Sequence, residues 1–228
     1  MTDGKRKVRL RTIFRDKTIR YSADGSPLGS RSAVYEKPFE TERSALIRAA
    51  VFENGRPCGG AECFVMVHKA IGKMHRLNTP YSGKEPAYTG GGDMALLDGL
   101  RGSLDFKDGR WQGYEENDLD VVIDLGSVQP VNRICISFLQ QSGSWILMPS
   151  KVEFWVSDDG KRFDLARDVP NPVDPKTPGT VIHDFEAAFD DLRTRFIRVV
   201  GRSVGKLPEW HHAAGGKVFM FADEIVVE

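Results

Sequence analysis

The stretch DLDVVIDLG, residues 118–126, decides the fold. Leu119, Val121, Ile123 and Leu125 recur at every second position and alternate with Asp118, Asp120 and Asp124. A period of two belongs to an extended strand, whose successive side chains point to opposite faces. One face is therefore apolar and the other largely acidic, as on a sheet that covers a core on one side only. The same period runs outward along the chain. RICISFL (133–139) repeats it with Ile134, Ile136 and Phe138, and KVEFWVSDDG (151–160) with Val152, Phe154 and Val156 before a turn at Asp159-Gly160. FIRVV (196–200) and KVFMFADEIVV (217–227) continue the series, and only MALLDGL (94–100) has a mildly helical pattern. Strands at this spacing with almost no helix predict an all-β sandwich.

The N-terminal part has its own strand signals. KTIRY (17–21) runs into the turn-forming SADGSP, and ALIRAAVFE (45–53) into Asn54-Gly55, a strong hairpin signal. ECFVMVHK (62–69) reads as the returning strand. The Gly- and Pro-rich stretch 71–92 marks a boundary, so two domains are expected: a small antiparallel β-sandwich over 1–72 and a larger sandwich over 73–228. Trp155 is in phase with Lys151 and Glu153, on the polar face of its strand. It is either covered by a neighbouring loop or domain, or an exposed platform.

With 228 residues, 40% hydrophobic and 28% charged, the chain has an ordinary globular composition and enough length for two cores. Lys plus Arg equals Asp plus Glu at 32 each, so no net field favours nucleic acid or an anionic membrane surface. No apolar run approaches the ~20 residues of a membrane helix, and the opening MTDGKRKVRL has no signal-peptide pattern. Cys58, Cys63 and Cys135 are too few and odd in number for a disulfide framework. Cys58 and Cys63 are either free thiols or a pair across a turn.

Two resemblances cover nearly the whole chain. Tyr21, Asp24-Gly25-Ser26, Tyr35, Pro38-Phe39, Ala49 and Asn54-Gly55 resemble the small C-terminal β-domain of chitobiases, the family 20 β-N-acetylhexosaminidases. The match weakens at Pro27-Leu28, where that family has an acidic residue before the Pro and a Thr after it. The remainder resembles a discoidin-like domain, the coagulation factor V/VIII C-type fold used by family 32 carbohydrate-binding modules. That likeness rests on Ala95-Leu96, Asp98-Gly99, Trp111-Gln112-Gly113, Ile123-Asp124-Leu125-Gly126, Trp145, Pro149, Ser157-Asp158-Asp159-Gly160 and Asp223-Glu224-Ile225. Together they imply a jelly-roll β-sandwich following a small one, in the C-terminal region of a bacterial hexosaminidase whose catalytic barrel is absent.

Family 20 enzymes use an adjacent Asp-Glu pair in substrate-assisted hydrolysis. Asp223-Glu224 copies it in letters only: nothing here alternates strand and helix long enough for a barrel, and neighbours on a strand point to opposite faces. No catalytic residue is therefore expected. His211-His212 fails as a metal site for the same reason of divergence, no Gly-x-Ser-x-Gly elbow is present, and the Gly90-Gly92 run lacks the lysine of a phosphate loop.

Sugar binding needs aromatic faces for C–H surfaces and fixed polar groups for hydroxyls. The candidates are Trp111, Gln112 and Tyr114 in one loop, Trp145 in another, and Trp210, His211 and His212 in a third. Trp111 and Trp145 could equally be core plugs. The resemblance also implies a structural calcium ion held by Asp98 and Glu224, although Arg101 stands where a further acidic ligand is expected and could itself satisfy the carboxylates. No cofactor is otherwise required. The expected function is a non-catalytic accessory region that binds glycan of terminal galactose or N-acetylhexosamine type for a periplasmic or extracellular hydrolase. The expected partners are that glycan and the parent barrel, with no nucleic acid and no membrane insertion. A spacer that docks on the absent barrel without binding sugar is the alternative, and an independent enzyme is a weaker third reading.

Overall fold

The structure, a computed structural model, describes residues 5–14 and 17–228, so the MTDG that opens the chain lies outside it. The chain divides into two compact units, Met1–His68 and Lys69–Glu228.

The first unit holds β1 (Arg6–Val8), β2 (Thr18–Ser22), β3 (Ala33–Val34), β4 (Phe39–Thr41), β5 (Ala45–Glu53) and β6 (Arg56–Val65). A four-stranded sheet in the order β3-β2-β5-β6 accompanies the pair β1-β4. Asn54 and Gly55 both take positive φ, 49° and 76°, the conformation of a two-residue hairpin turn. That turn sets Glu53 opposite Arg56, so the return strand starts at Arg56, earlier than the ECFVMVHK run suggests. Tyr21 on β2 stacks on Phe39 of β4 at 4.6 Å and meets the edge of Tyr35 at 6.1 Å, which joins the two sheets. Cys58 and Cys63 are free and exposed on β6. Five positions apart along one strand, about 16 Å at ~3.3 Å per residue, they are too far apart to pair.

The second unit holds β7 (Met74–Leu77), β8 (Gln112–Glu115), β9 (Leu119–Pro130), β10 (Arg133–Gln140), β11 (Lys151–Ser157), β12 (Asp164–Pro170), β13 (Val181–Ala188), β14 (Arg193–Arg202) and β15 (Phe219–Val227). A five-stranded antiparallel sheet, β12-β11-β14-β9-β7, packs on a four-stranded one, β13-β10-β15-β8. Leu119, Val121, Ile123 and Leu125 of β9 meet Ile134, Ile136 and Phe138 of β10, with Val152, Phe154, Ile197 and Val199, in one buried layer. Val156 is only half-buried, beyond the irregularity that shifts the β11–β12 register at Phe154/Trp155. MALLDGL contains only a single 3-10 turn over Ala95–Leu97.

The solvent face of the five-stranded sheet is laced by charge. Asp120 takes both prongs of Arg198 (2.8 and 2.7 Å), Asp124 both prongs of Arg195, and Arg202 links Asp118 to Glu153. Glu153 also receives Lys151 (2.9 Å) and the Trp155 indole N–H (3.2 Å). Trp155 is thus half-buried within this ladder rather than a bare platform.

β15 breaks the alternation expected of its carboxylates. Its pairing with β10 slips by one residue between Ile225 and Ala222, so Asp223 and Glu224 together oppose Ser137 in a β-bulge. Met220 and Ala222 reach the core on one side of the bulge, and Ile225 and Val227 on the other. Both carboxylates then face one segment: Gly99 N–H donates to Glu224 (2.8 Å) and Gly102 N–H to Asp223 (2.9 Å). The expectation that they diverge is corrected by this extra residue. Both are 0% exposed, so they meet main chain and not a cleft. Gly102 is needed here, because a Cβ would stand 2.1 Å from Cε2 of Trp111, a ring that cannot step aside.

Hydrogen bonds from Arg202, with support from Lys151 and Trp155, hold the Glu153 carboxyl down to about 2 despite its burial. A depressed acid stabilises the fold above its unfolded value and loses that contribution as pH falls through the folded one. Glu153→Gln is therefore expected to cost up to about 3 kcal/mol at pH 7 in urea unfolding, with the difference shrinking between pH 4.5 and 2. A deficit independent of pH would assign the loss to packing alone.

Candidate functional site

Antiparallel pairing brings three long loops to one end of the larger sandwich. β10 ends at Gln140 opposite the start of β13 at Val181, and Leu139 faces Phe221 near the start of β15. In the other sheet, Lys151 at the start of β11 faces both Arg202 and Pro170, the last residues of β14 and β12. The connections 141–150, 171–180 and 203–218 therefore emerge together.

The last of these is a self-bonded knot. Leu207 and Gly216 exchange with their neighbours through Leu207 N–H to Gly216 O (3.0 Å) and Gly215 N–H to Leu207 O (2.9 Å). Leu207 and Val218 bury against Leu147 of the first loop. On top of this anchor sit Trp210 and His212, both exposed, while His211 between them is 6% exposed. The His211 Nε2 lies 2.8 Å from Ser142 O, and its Nδ1 accepts Ala213 N–H at 3.1 Å. An acceptor at one nitrogen and a donor at the other require the neutral ring with its proton on Nε2. His211 is thus a pin between loops and not a ligand-facing group, which corrects its expected role. His212 leans on it, with ring centroids 4.3 Å apart.

Ser142, on the other side of that pin, starts the turn that ends in Trp145. Trp145 takes a left-handed backbone (φ 64°, ψ 22°) and is 47% exposed. For a bulky non-glycine residue this costs ~1–3 kcal/mol, and such strain concentrates at functional positions. Its carbonyl accepts Phe219 N–H (2.9 Å), which holds the turn against β15. Trp145 is therefore not a core plug. Trp210, at 40% exposure, is the second tryptophan shown at this end.

Trp111, Gln112 and Tyr114 are buried, with exposures of 0%, 0% and 1%. The segment read as a loop is the entry to β8, paired with β15, and its side chains fill the interior. Trp111 N–H donates to Ser103 O (2.9 Å), Gln112 to Gly92 O (3.0 Å), and Tyr114 O–H to Gln112 Oε1 (2.6 Å). Burial pushes the Tyr114 hydroxyl far up. These three belong to the scaffold, a correction to their expected place on a ligand-facing loop.

Sequence reasoning missed three polar residues on the loops and at their base. Gln140 Nε2 donates to Asp174 O (2.9 Å) and Gln141 Nε2 to Thr180 Oγ1 (3.0 Å), which fastens the 171–180 loop. Their Oε1 atoms are buried with no partner among the described residues. Lys176, on that loop, stands 5.7 Å from the centre of the Trp210 ring. A lysine inside NPVDPKTPGT has no pattern that would single it out.

The carboxylates of Asp98 and Glu224 do come together. Burial raises the Glu224 carboxyl well above the usual range, and Asp98 beside it raises it further. Paired carboxylates are the hard-oxygen chemistry that calcium takes, and a cation would neutralise them. Main-chain oxygens would have to complete the shell, because among the described residues no three His, Cys, Asp or Glu side chains are grouped to hold a metal. Arg101 bonds Asp184 (2.6 Å) and Asp223 (3.2 Å), so its charge goes to the neighbouring acid. Burial still lifts Asp223 to about 6.

Residues 81–215 match the family model described as F5/8 type C domain, and residues 8–60 the one described as Fn3 associated. No curated protein is a match in sequence. Among solved structures, chitosan-binding module 1 of a Paenibacillus sp. IK-5 chitosanase/glucanase is 17% identical, with TM-score 0.44, over 71% of this chain and 98% of that one. A Streptococcus pneumoniae fucose binding module is 13% identical, with TM-score 0.46, over 71% and 96%. A Clostridium perfringens module solved with GalNAc-β-1,3-galactose is 14% identical, with TM-score 0.42, over 68% and 93%.

Replacing His211 by Ala leaves Ser142 O and Ala213 N–H without their bonds. The expected outcome is a loss of about 1–3 kcal/mol in denaturant unfolding and new proteolytic cleavage confined to 141–150 and 203–218. Unchanged protection of both loops would show that the Leu147–Leu207–Val218 cluster alone holds them.

Proposed function

The chain belongs to the F5/8 type C domain family through residues 81–215, and from that premise we propose that it is a non-catalytic carbohydrate-binding region of a secreted or periplasmic bacterial glycoside hydrolase. The parent enzyme in this reading is a β-N-acetylhexosaminidase, whose catalytic barrel is the second partner. One observation carries the reading. Two exposed tryptophans, Trp145 and Trp210, stand on separate loops that the buried His211 ties together at one end of a rigid sandwich. Flat aromatic faces held still on a scaffold suit the apolar face of a pyranose, and His212 with nearby main chain supplies hydroxyl partners.

The ligand is a terminal galactose-type or N-acetylhexosamine residue. Contact with one or two sugar rings buries little surface, so affinity is modest, and tethering to the enzyme multiplies it through effective concentration. Asp223 and Glu224, fully buried under the 98–102 segment, support the absence of hydrolysis from this chain. Asp98 and Glu224 would hold a structural calcium ion, which stiffens that segment and takes no part in chemistry.

A spacer that docks on the barrel is the second reading. It is favoured by β6 of the first unit, exposed over nearly its whole length, and by Phe64 on it at 52% exposure. A glycan array separates the two. Binding by the wild-type chain, reduced tenfold or more by Trp210→Ala and by Trp145→Ala at unchanged Tm, is the expected result. Binding to no glycan favours the spacer. In the same preparation, millimolar calcium is expected to raise Tm by several degrees over chelator, and Glu224→Gln to abolish that shift. No shift in wild type would mean that Asp98 and Glu224 share a proton in place of an ion.

A further inference from the structure

The face of Trp210 is not bare. Lys176 Nζ sits over it, 5.7 Å from the ring centre, at the tip of an exposed side chain. The other lysines of the three loops, and the cations of the strand ends beneath them, are neutralised. Lys206 pairs with Glu116, and Lys217 with Glu115 and Glu116. Arg202 pairs with Asp118 and Glu153, and Lys151 with Glu153 and Asp168. Lys176 has no carboxylate partner among the described residues. Asp174, two residues before it, spends its Oδ1 on the Lys176 main-chain N–H (2.8 Å), and Glu209 beside Trp210 forms no ion pair with it.

A cation over an indole is held by the ring's negative face, and it covers the surface on which a pyranose would stack. A neutral sugar must displace the ammonium and returns nothing for the lost contact. A sugar with a carboxylate displaces it too, but the freed ammonium swings on its four-carbon stem to meet the acid in a charge-assisted hydrogen bond. The same lysine thus opposes neutral ligands and rewards acidic ones, which is how a site discriminates rather than merely binds.

We propose that the glycan taken by this end of the sandwich is anionic, a sugar bearing a carboxylate, and that Lys176 is the residue that selects it. This rests on the sugar-binding reading above and replaces its neutral terminal sugar with an acidic one. Two kinds of sugar supply the group: a hexuronic acid, whose exocyclic carbon 6 is a carboxylate, and a sialic acid at the end of a chain. Both present one carboxylate beside a stackable ring face.

The test is calorimetric titration of the full chain at low ionic strength with two matched pairs. Methyl galactopyranosiduronate against methyl galactopyranoside probes the uronic source, and sialyllactose against lactose the sialic one. The expected result is tighter binding of the acid in at least one pair by about two- to fivefold, the scale of one exposed charge pair. Raising salt should erode that preference. Lys176→Gln should abolish it by weakening the acid while leaving the neutral sugar equal or tighter, since the ring is then uncovered. Equal affinities in both pairs, or a preference that survives Lys176→Gln, overturns the proposal and leaves sugar binding standing. Failure of wild type to bind any of the four, or glycans on the array, overturns both.

Discussion

Burial of alternate side chains between two antiparallel sheets is the constraint on which the larger unit depends. β9 and β10 each commit one face to the shared layer, Leu119 to Leu125 from one and Ile134 to Phe138 from the other. With the strand faces settled, register follows, since a slip of one residue would turn every core side chain outward. Register in turn decides which strand ends lie together. The three loops, two of which carry an exposed tryptophan, meet because Gln140 pairs with Val181 and Lys151 with Arg202, although 41 and 51 residues separate these partners in the chain.

Polar groups decide what the apolar layer leaves open. On the outer face of the five-stranded sheet, Arg195, Arg198 and Arg202 cross from β14 to acids on β9, on β11 and just before β9. Bidentate geometry and partial burial give these pairs more weight than ordinary surface ion pairs. On the other sheet, the bulge in β15 aims two carboxylates at one loop, which Gly99 and Gly102 bind by main-chain N–H groups. Trp111 then closes over Gly102 and seals that side. An acidic pair that resembles catalytic machinery in letters is a fastener for a covering segment.

The ligand-facing end is built differently. Ile146, Leu147, Met148, Leu207 and Val218 bury the bases of two of its loops, and small polar bonds position the rest: His211 to Ser142, Gln140 to Asp174, Gln141 to Thr180. The His211 pin is buried while its two neighbours, Trp210 and His212, stay exposed. Trp145 reaches the same end through a left-handed backbone that only its surroundings can enforce. Stiff support beneath a few exposed rings limits the ordering entropy that a weak ligand must overcome.

By itself, the sequence determined the strand content, the core faces of β9 and β10, Val152 and Phe154 of β11, and the Asn54-Gly55 hairpin. Each is local: a period of two, or a dipeptide with a strong conformational preference, acts over a few residues. It also marked Trp210 and Trp145 as aromatic residues in turn-rich segments. Only the tertiary structure decided that Trp111, Gln112 and Tyr114 are interior, because their burial comes from β15, more than a hundred residues later. Only it decided that His211 is a pin, that Asp223 and Glu224 share a side, and that Lys176 covers Trp210. A bulge and a loop contact arise from pairing between distant segments, and no local preference encodes which segments those are.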